Sequence, residues 1–171
     1  MKQFTAACLV FLCATAPALA AAEIIGNWQA DTFSEGVYAA TLNDSESLLG
    51  QYCYPDQGSC LWLLGLKTRC ESGHEYPILA NSDLGARELS LRCGNRLESG
   101  YYQYVFTNFD AINDIVTTAS QLGFAIPVEG DQFRVVRFSL DGARSAVDGM
   151  RSRASEEKNK PARQDTRDRV L

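Results

Sequence analysis

Alternation of apolar and polar residues with period two dominates the first two thirds of the chain, and it predicts strands rather than helices. Short strands are expected near residues 24–29, 37–42, 48–54 and 60–66, most of them ended by Gly, Pro, Asn or Asp. The clearest alternation sets Leu89, Leu91 and Cys93 against Glu88, Ser90 and Arg92, which points Cys93 inward. Tyr102, Tyr104 and Phe106 share another face, with Tyr101 and Gln103 opposite; such an aromatic face is expected in the core, although an exposed tyrosine pair would suit a ligand.

After Phe109 the period changes. Ile112, Ile115, Val116, Ala119 and Leu122 fall on one helical stripe, with Asp110 placed to cap it and Gly123 to close it. A last strand is expected at 133–140, where apolar parity switches from Phe133 and Val135 to Val136, Phe138 and Leu140, as a bulge or burial on both faces would require. Asp141 then stands as cap to a second helix carrying Ala143, Ala146, Val147 and Met150. The pattern describes a mainly β, small sandwich-like or barrel-like domain with two helices near its C-terminus.

The ends of the chain read differently. Lys2, the apolar run from Phe4 to Ala16 and Ala18-Leu19-Ala20 have the order of a secretory signal peptide over residues 1–20. That run is shorter than the roughly 20 residues needed to span a bilayer, and no later uncharged stretch approaches that length, so no transmembrane segment is expected. Residues 21–150 then form one domain and 151–171 a charged, disordered tail. The domain holds 17 acidic and 8 basic residues, whereas the tail holds 4 and 7. An acidic domain without a Lys/Arg cluster lacks the footprint of a nucleic-acid binder. The basic tail is expected to make at most a weak, salt-sensitive envelope contact.

Export leaves Cys53, Cys60, Cys70 and Cys93, an even number that reads as two disulfides in an oxidising compartment. Three pairings exist. Turn chemistry between Cys53 and Cys60 favours that pair, and Cys70 with Cys93 follows by elimination. The alternative is a zinc site at Cys70 and His74, but no paired C-x-x-C or H-x-x-x-H accompanies them, so no metal ligand is assigned.

The run FRVVRFSLDGARSAV from Phe133 to Val147, together with the exported, cysteine-bearing layout before it, resembles the invasion-associated locus B family. The resemblance implies a small periplasmic or secreted bacterial protein of β-rich fold, linked to host-cell entry and without an established biochemical activity, so it carries no functional residue across. One pattern differs: Trp28 is followed by Gln29-Ala30-Asp31-Thr32 where the family has Trp-x-x-x-Cys.

No catalytic residue and no cofactor emerges. The single histidine, His74, sits in a polar turn between Gly73 and Glu75, and no hydrolase, zincin, phosphate-loop or dinucleotide motif occurs. Asp110 or Asp114 with Glu129 forms a conceivable glycosidase pair, yet Asp110 is more simply a helix cap. The Asn43-Asp44-Ser45-Glu46 loop lacks the ligand alternation of a calcium site. The reading that needs no motif is a non-enzymatic exported binding module for a protein, peptide or glycan. Its alternatives are an inhibitor or immunity-type protein against an envelope hydrolase, and a carboxylate-dependent hydrolase.

Overall fold

The computed structural model describes residues 22–97, 99–128 and 132–159, with only the backbone of Val128. The signal segment, Glu129 and the end of the tail therefore lie outside the described residues. Within them the period-two pattern builds β1 (Glu23–Ile25), β2 (Trp28–Phe33), β3 (Gly36–Leu42), β4 (Leu48–Tyr54), β5 (Ser59–Leu66), β6 (Glu75–Ser82), β7 (Gly85–Arg96), β8 (Tyr102–Phe106), β9 (Gln121–Val128) and β10 (Gln132–Ser139). They form one antiparallel sheet in the order β1-β2-β3-β4-β5-β8-β7-β6-β9-β10. The sheet curls until its far end meets its beginning. The Trp28 indole donates to the Ser139 carbonyl (3.3 Å), Asn43 Nδ2 to the Arg137 carbonyl (3.1 Å) and the Asn27 backbone N–H to the Asp141 carbonyl (3.0 Å).

The inner face carries the core: Trp28, Val37, Leu49, Trp62, Leu64, Leu91, Tyr104, Phe106, Phe124 and Phe138 are all buried. Trp28 and Trp62 meet edge to face at 6.2 Å. Burying each such side chain contributes about 1.5–3 kcal/mol. Helices α1 (Phe109–Thr118) and α2 (Ala143–Asn159) close the interior, α1 with Ile112, Ile115 and Val116 and α2 with Ala143, Ala146, Val147 and Met150. The Leu89/Leu91/Cys93 and Tyr104/Phe106 faces lie inward as the alternation requires.

Both disulfides form, Cys53–Cys60 and Cys70–Cys93. Cys53 and Cys60 are direct cross-strand partners around the 3-10 turn Pro55–Gln57.

Several local expectations change. Residues 24–29 are not one strand, because Gly26 (φ 57°) turns the chain and splits them into the β1–β2 hairpin. Helix α1 is capped by Asn108, whose side chain accepts from the Ala111 N–H at 3.0 Å, not by Asp110. It also stops at Thr118, so Leu122 is buried from strand β9, and Gly123 lies in that strand rather than ending a helix. Asp141 precedes α2 by two residues; its carbonyl accepts from the Asn27 N–H and its own N–H donates to Ser139 Oγ. In β10 the register is unbroken, and Phe133 and Val135 are exposed on the outer face, so neither a bulge nor two-sided burial exists there. The register shift occurs instead in β7, between Cys93 and Arg96.

The second helix continues past Met150 to Asn159, nine residues into the segment read as tail. Its anchors are polar. Arg151 Nε donates to Gln51 Oε1 (2.8 Å), Arg151 also donates to Asn113 Oδ1, Arg153 pairs with Glu23, and Ala154 packs on the core. At the other end of α2, Gly142 (φ 84°) allows the β1–β2 turn to approach so closely that a Cβ there would lie 1.9 Å from the Ile25 carbonyl oxygen.

Candidate functional site

Strands β2, β3 and β4 contain no lysine or arginine, and their outward positions carry a run of aromatic rings. Cross-strand pairing explains why the rings meet. Tyr38 on β3 lies opposite Tyr52 on β4, and Phe33 ends β2 beside them, with Tyr54 two residues beyond Tyr52 on the same face. Tyr38 and Tyr52 stack at 5.6 Å with an 18° interplanar angle, while Phe33 meets Tyr54 edge to face at 5.5 Å and Tyr52 at 5.9 Å. All four side chains are partly buried, and they pack on one another.

A groove of about 330 Å³ runs beside Phe33, Tyr52 and Tyr54 toward Leu61 and Leu97. Gln29 Nε2 donates to the Tyr38 hydroxyl at 2.9 Å. Burial pushes the Tyr52 phenol up to about 12, with Tyr38 and Tyr54 adding to the effect. Burial also raises Tyr38, helped by the nearby Asp31 carboxylate, and raises Tyr54, helped by Glu35. The face therefore presents neutral phenols at physiological pH, bordered by negative charge. It stacks, donates hydrogen bonds and favours neutral or cationic groups over anions.

The residues considered from sequence fall elsewhere. His74 is exposed and pairs with Glu71 at 3.2 Å, its neighbour on the same turn. Asp110 lies in the first turn of α1 and Asp114 one turn further along, both exposed, while Glu129 lies outside the described residues. Asn43 Oδ1 accepts from the backbone N–H groups of Ser45 and Ser47, and Glu46 pairs with Lys67, so that loop is held by its own bonds. Among the described residues no group of three or more His, Cys, Asp or Glu side chains is placed to hold a metal ion. Tyr101 does lie outside the core, with its hydroxyl donating to the Glu46 carbonyl at 2.7 Å and Lys67 over its ring. Cys53 and Cys60 border the aromatic face through Tyr54, whereas Cys70 and Cys93 lie away from it.

The outer cluster was not anticipated from sequence. Its signal was present: where Val37 and Ala39 point inward, Tyr38 must point out, and Cys53 inward sends Tyr52 and Tyr54 outward.

No protein-family model matches the chain, and no curated protein matches it in sequence. A solved structure does. The crystal structure of invasion associated protein B from Bartonella henselae superposes with a TM-score of 0.56 over 77% of this chain and 96% of that one, at 12% sequence identity. The two chains share a fold. That is the fold implied by the resemblance in FRVVRFSLDGARSAV, and the likeness extends to architecture alone. Both disulfides sit in it, and among the described residues no helix is long and apolar enough to cross a membrane.

Proposed function

We propose that this chain is a non-enzymatic, exported binding module, and that the outer face of β2–β4 is where it holds its partner. The observation that carries the reading is the cluster of Phe33, Tyr38, Tyr52 and Tyr54, which lies on the face opposite the buried Val37, Ala39, Gln51 and Cys53. Aromatic residues of this kind supply large contact area at low entropic cost, and a half-buried cluster of them is already ordered before a partner arrives. Two disulfides and the signal-like start support export to the periplasm or beyond. The structural neighbour is an invasion associated protein, which supports a role in host contact. The partner is then a protein, peptide or glycan that meets a neutral-to-acidic aromatic surface.

The test is capture. Immobilised mature protein is exposed to periplasmic extract, host-cell surface extract and a glycan panel, and each retained partner is challenged with the Phe33→Ala/Tyr38→Ala variant, whose two residues lie outside the second concavity. A central aromatic pair is worth about 2 kcal/mol or more at an interface, roughly thirty-fold in affinity. Retention of every partner at unchanged affinity by that folded variant would remove the outer face as the site. A turnover activity abolished by Asp110→Asn or Asp114→Asn would replace the binding module with the hydrolase reading.

A further inference from the structure

A second concavity, of about 500 Å³, opens between α1, α2 and the β4–β5 hairpin end. Its apolar lining comes from the Cys53–Cys60 bridge, Phe109 and Ala154, and its charges are Arg151, Lys158 and Asp110. Arg151 is half-buried and held in place: Nε is taken by Gln51, a terminal nitrogen by Asn113, and the guanidinium lies 5.8 Å over the Phe109 ring. A guanidinium offers five N–H donors. Among the described residues no other acceptor reaches Arg151 and no carboxylate lies within ion-pair range of it or of Lys158. Asp148, three residues back on α2, acts on this partly desolvated guanidinium from beyond ion-pair range, which leaves its remaining donors open to an anion.

The lining also limits which anion. With Asp110 on the rim, the cleft has one net positive charge, which matches a monoanion and opposes a polyanion such as phosphate. Guanidinium geometry matches a carboxylate through two parallel N–H bonds, and the apolar lining asks for a hydrophobic body behind it. We propose that this cleft binds a single carboxylate carried on an apolar body, the chemistry of a peptide C-terminus or an acidic side chain beside an apolar one. The cleft meets the outer aromatic face at Tyr54, but Tyr38 lies outside the cleft and Lys158 outside the cluster, so variants at those two residues test the sites separately.

The experiment is an NMR titration of the labelled mature protein with N-acetyl-leucine, its neutral amide and inorganic phosphate. The expected result is a shift of the Arg151 Nε–H and of the Phe109 and Ala154 amides with the carboxylate, weaker at high salt, and none with the amide. Lys158 is exposed, so Lys158→Glu should fold normally and weaken the carboxylate by at least about ten-fold, because it removes one charge partner and adds a like charge. Peptides with a free C-terminus, an amidated C-terminus, or an amidated C-terminus and one internal glutamate then separate the two sources of the carboxylate. Equal shifts with the amide, phosphate binding as tight as the carboxylate, unchanged affinity in Lys158→Glu, or no shift with any probe would each overturn the proposal.

Discussion

Gln51 is the polar residue most deeply placed in the core. It is fully buried on the inner face of β4 between Ala39 and Trp62, with Oε1 satisfied by Arg151 and Nε2 without a partner. Arg151→Met keeps an aliphatic stem beside Phe109 but removes the donors to Gln51 and Asn113. A buried amide then has no partner on either atom, at a cost of about 2–4 kcal/mol once the charge-assisted bond is included. Gln51→Leu alone costs less, about 1 kcal/mol, because the half-exposed guanidinium can turn to water for its lost acceptor. The double variant places apolar groups on both sides of the contact and should return to within about 1 kcal/mol of the parent. Urea denaturation of all four proteins at constant m gives the cycle, with an expected coupling above about 1.5 kcal/mol. If Arg151→Met lies within about 0.5 kcal/mol of the parent, or the two changes simply add, then Arg151 does not anchor α2 through Gln51.

Three further outcomes are expected. Tyr52 and Tyr104 are both pushed up to about 12, chiefly by burial, so folding favours their neutral phenols; denaturation midpoints should hold up to about pH 10 and decline between there and about 12, and a decline complete below pH 10 would contradict this. The Cys70–Cys93 bridge spans 23 residues and Cys53–Cys60 only 7, so removing the first should cost about 3.4 kcal/mol and the second about 2.5 in urea titrations of the paired Cys→Ser variants. A chain ending at Met150 loses Arg151, Arg153 and Ala154 with their partners and should melt several degrees below a chain ending at Asn159; equal melting temperatures would mean that the last turns of α2 add nothing.

The architecture was legible wherever one physical pattern acted alone. Alternation at Leu89, Leu91 and Cys93 places three side chains correctly because β7 buries one face only. Turn chemistry at Pro55 to Gly58 locates a disulfide because it reverses the chain between adjacent strands. Reading failed where two patterns overlap. Leu122 fits a helical stripe from Asn108 onward, but the same residue also fits the inward parity of β9, and tertiary pairing decides between them. Strands β6 and β9 were not among the expected strands, and each carries a proline, Pro77 and Pro127, a residue that strands disfavour. The β6–β9 ladder runs only from Leu79 to Ser82, so Pro77 faces no β9 partner and its missing donor costs no ladder bond. The helical residues beyond Met150 were hidden for another reason. Their anchors are arginines whose partners, Gln51, Asn113 and Glu23, are up to 130 residues away in sequence.

Tyr54 borders both candidate surfaces, since it stands in the aromatic cluster on one side and in the lining of the Arg151 cleft on the other. The residue before it is Cys53, and the bridge to Cys60 fixes the β4–β5 hairpin at that point. Opposite charge meets across this ridge, with Asp31 and Glu35 near the tyrosines and Arg151 and Lys158 in the cleft. A partner that covers both would therefore present neutral or cationic groups to the sheet and a carboxylate to the cleft, and would read the ridge as a register mark between them. Opening the bridge by Cys53→Ser/Cys60→Ser leaves the β4–β5 ladder in place but frees the hairpin end. Binding at both surfaces should then weaken together, while a partner of one surface alone should respond at that surface only.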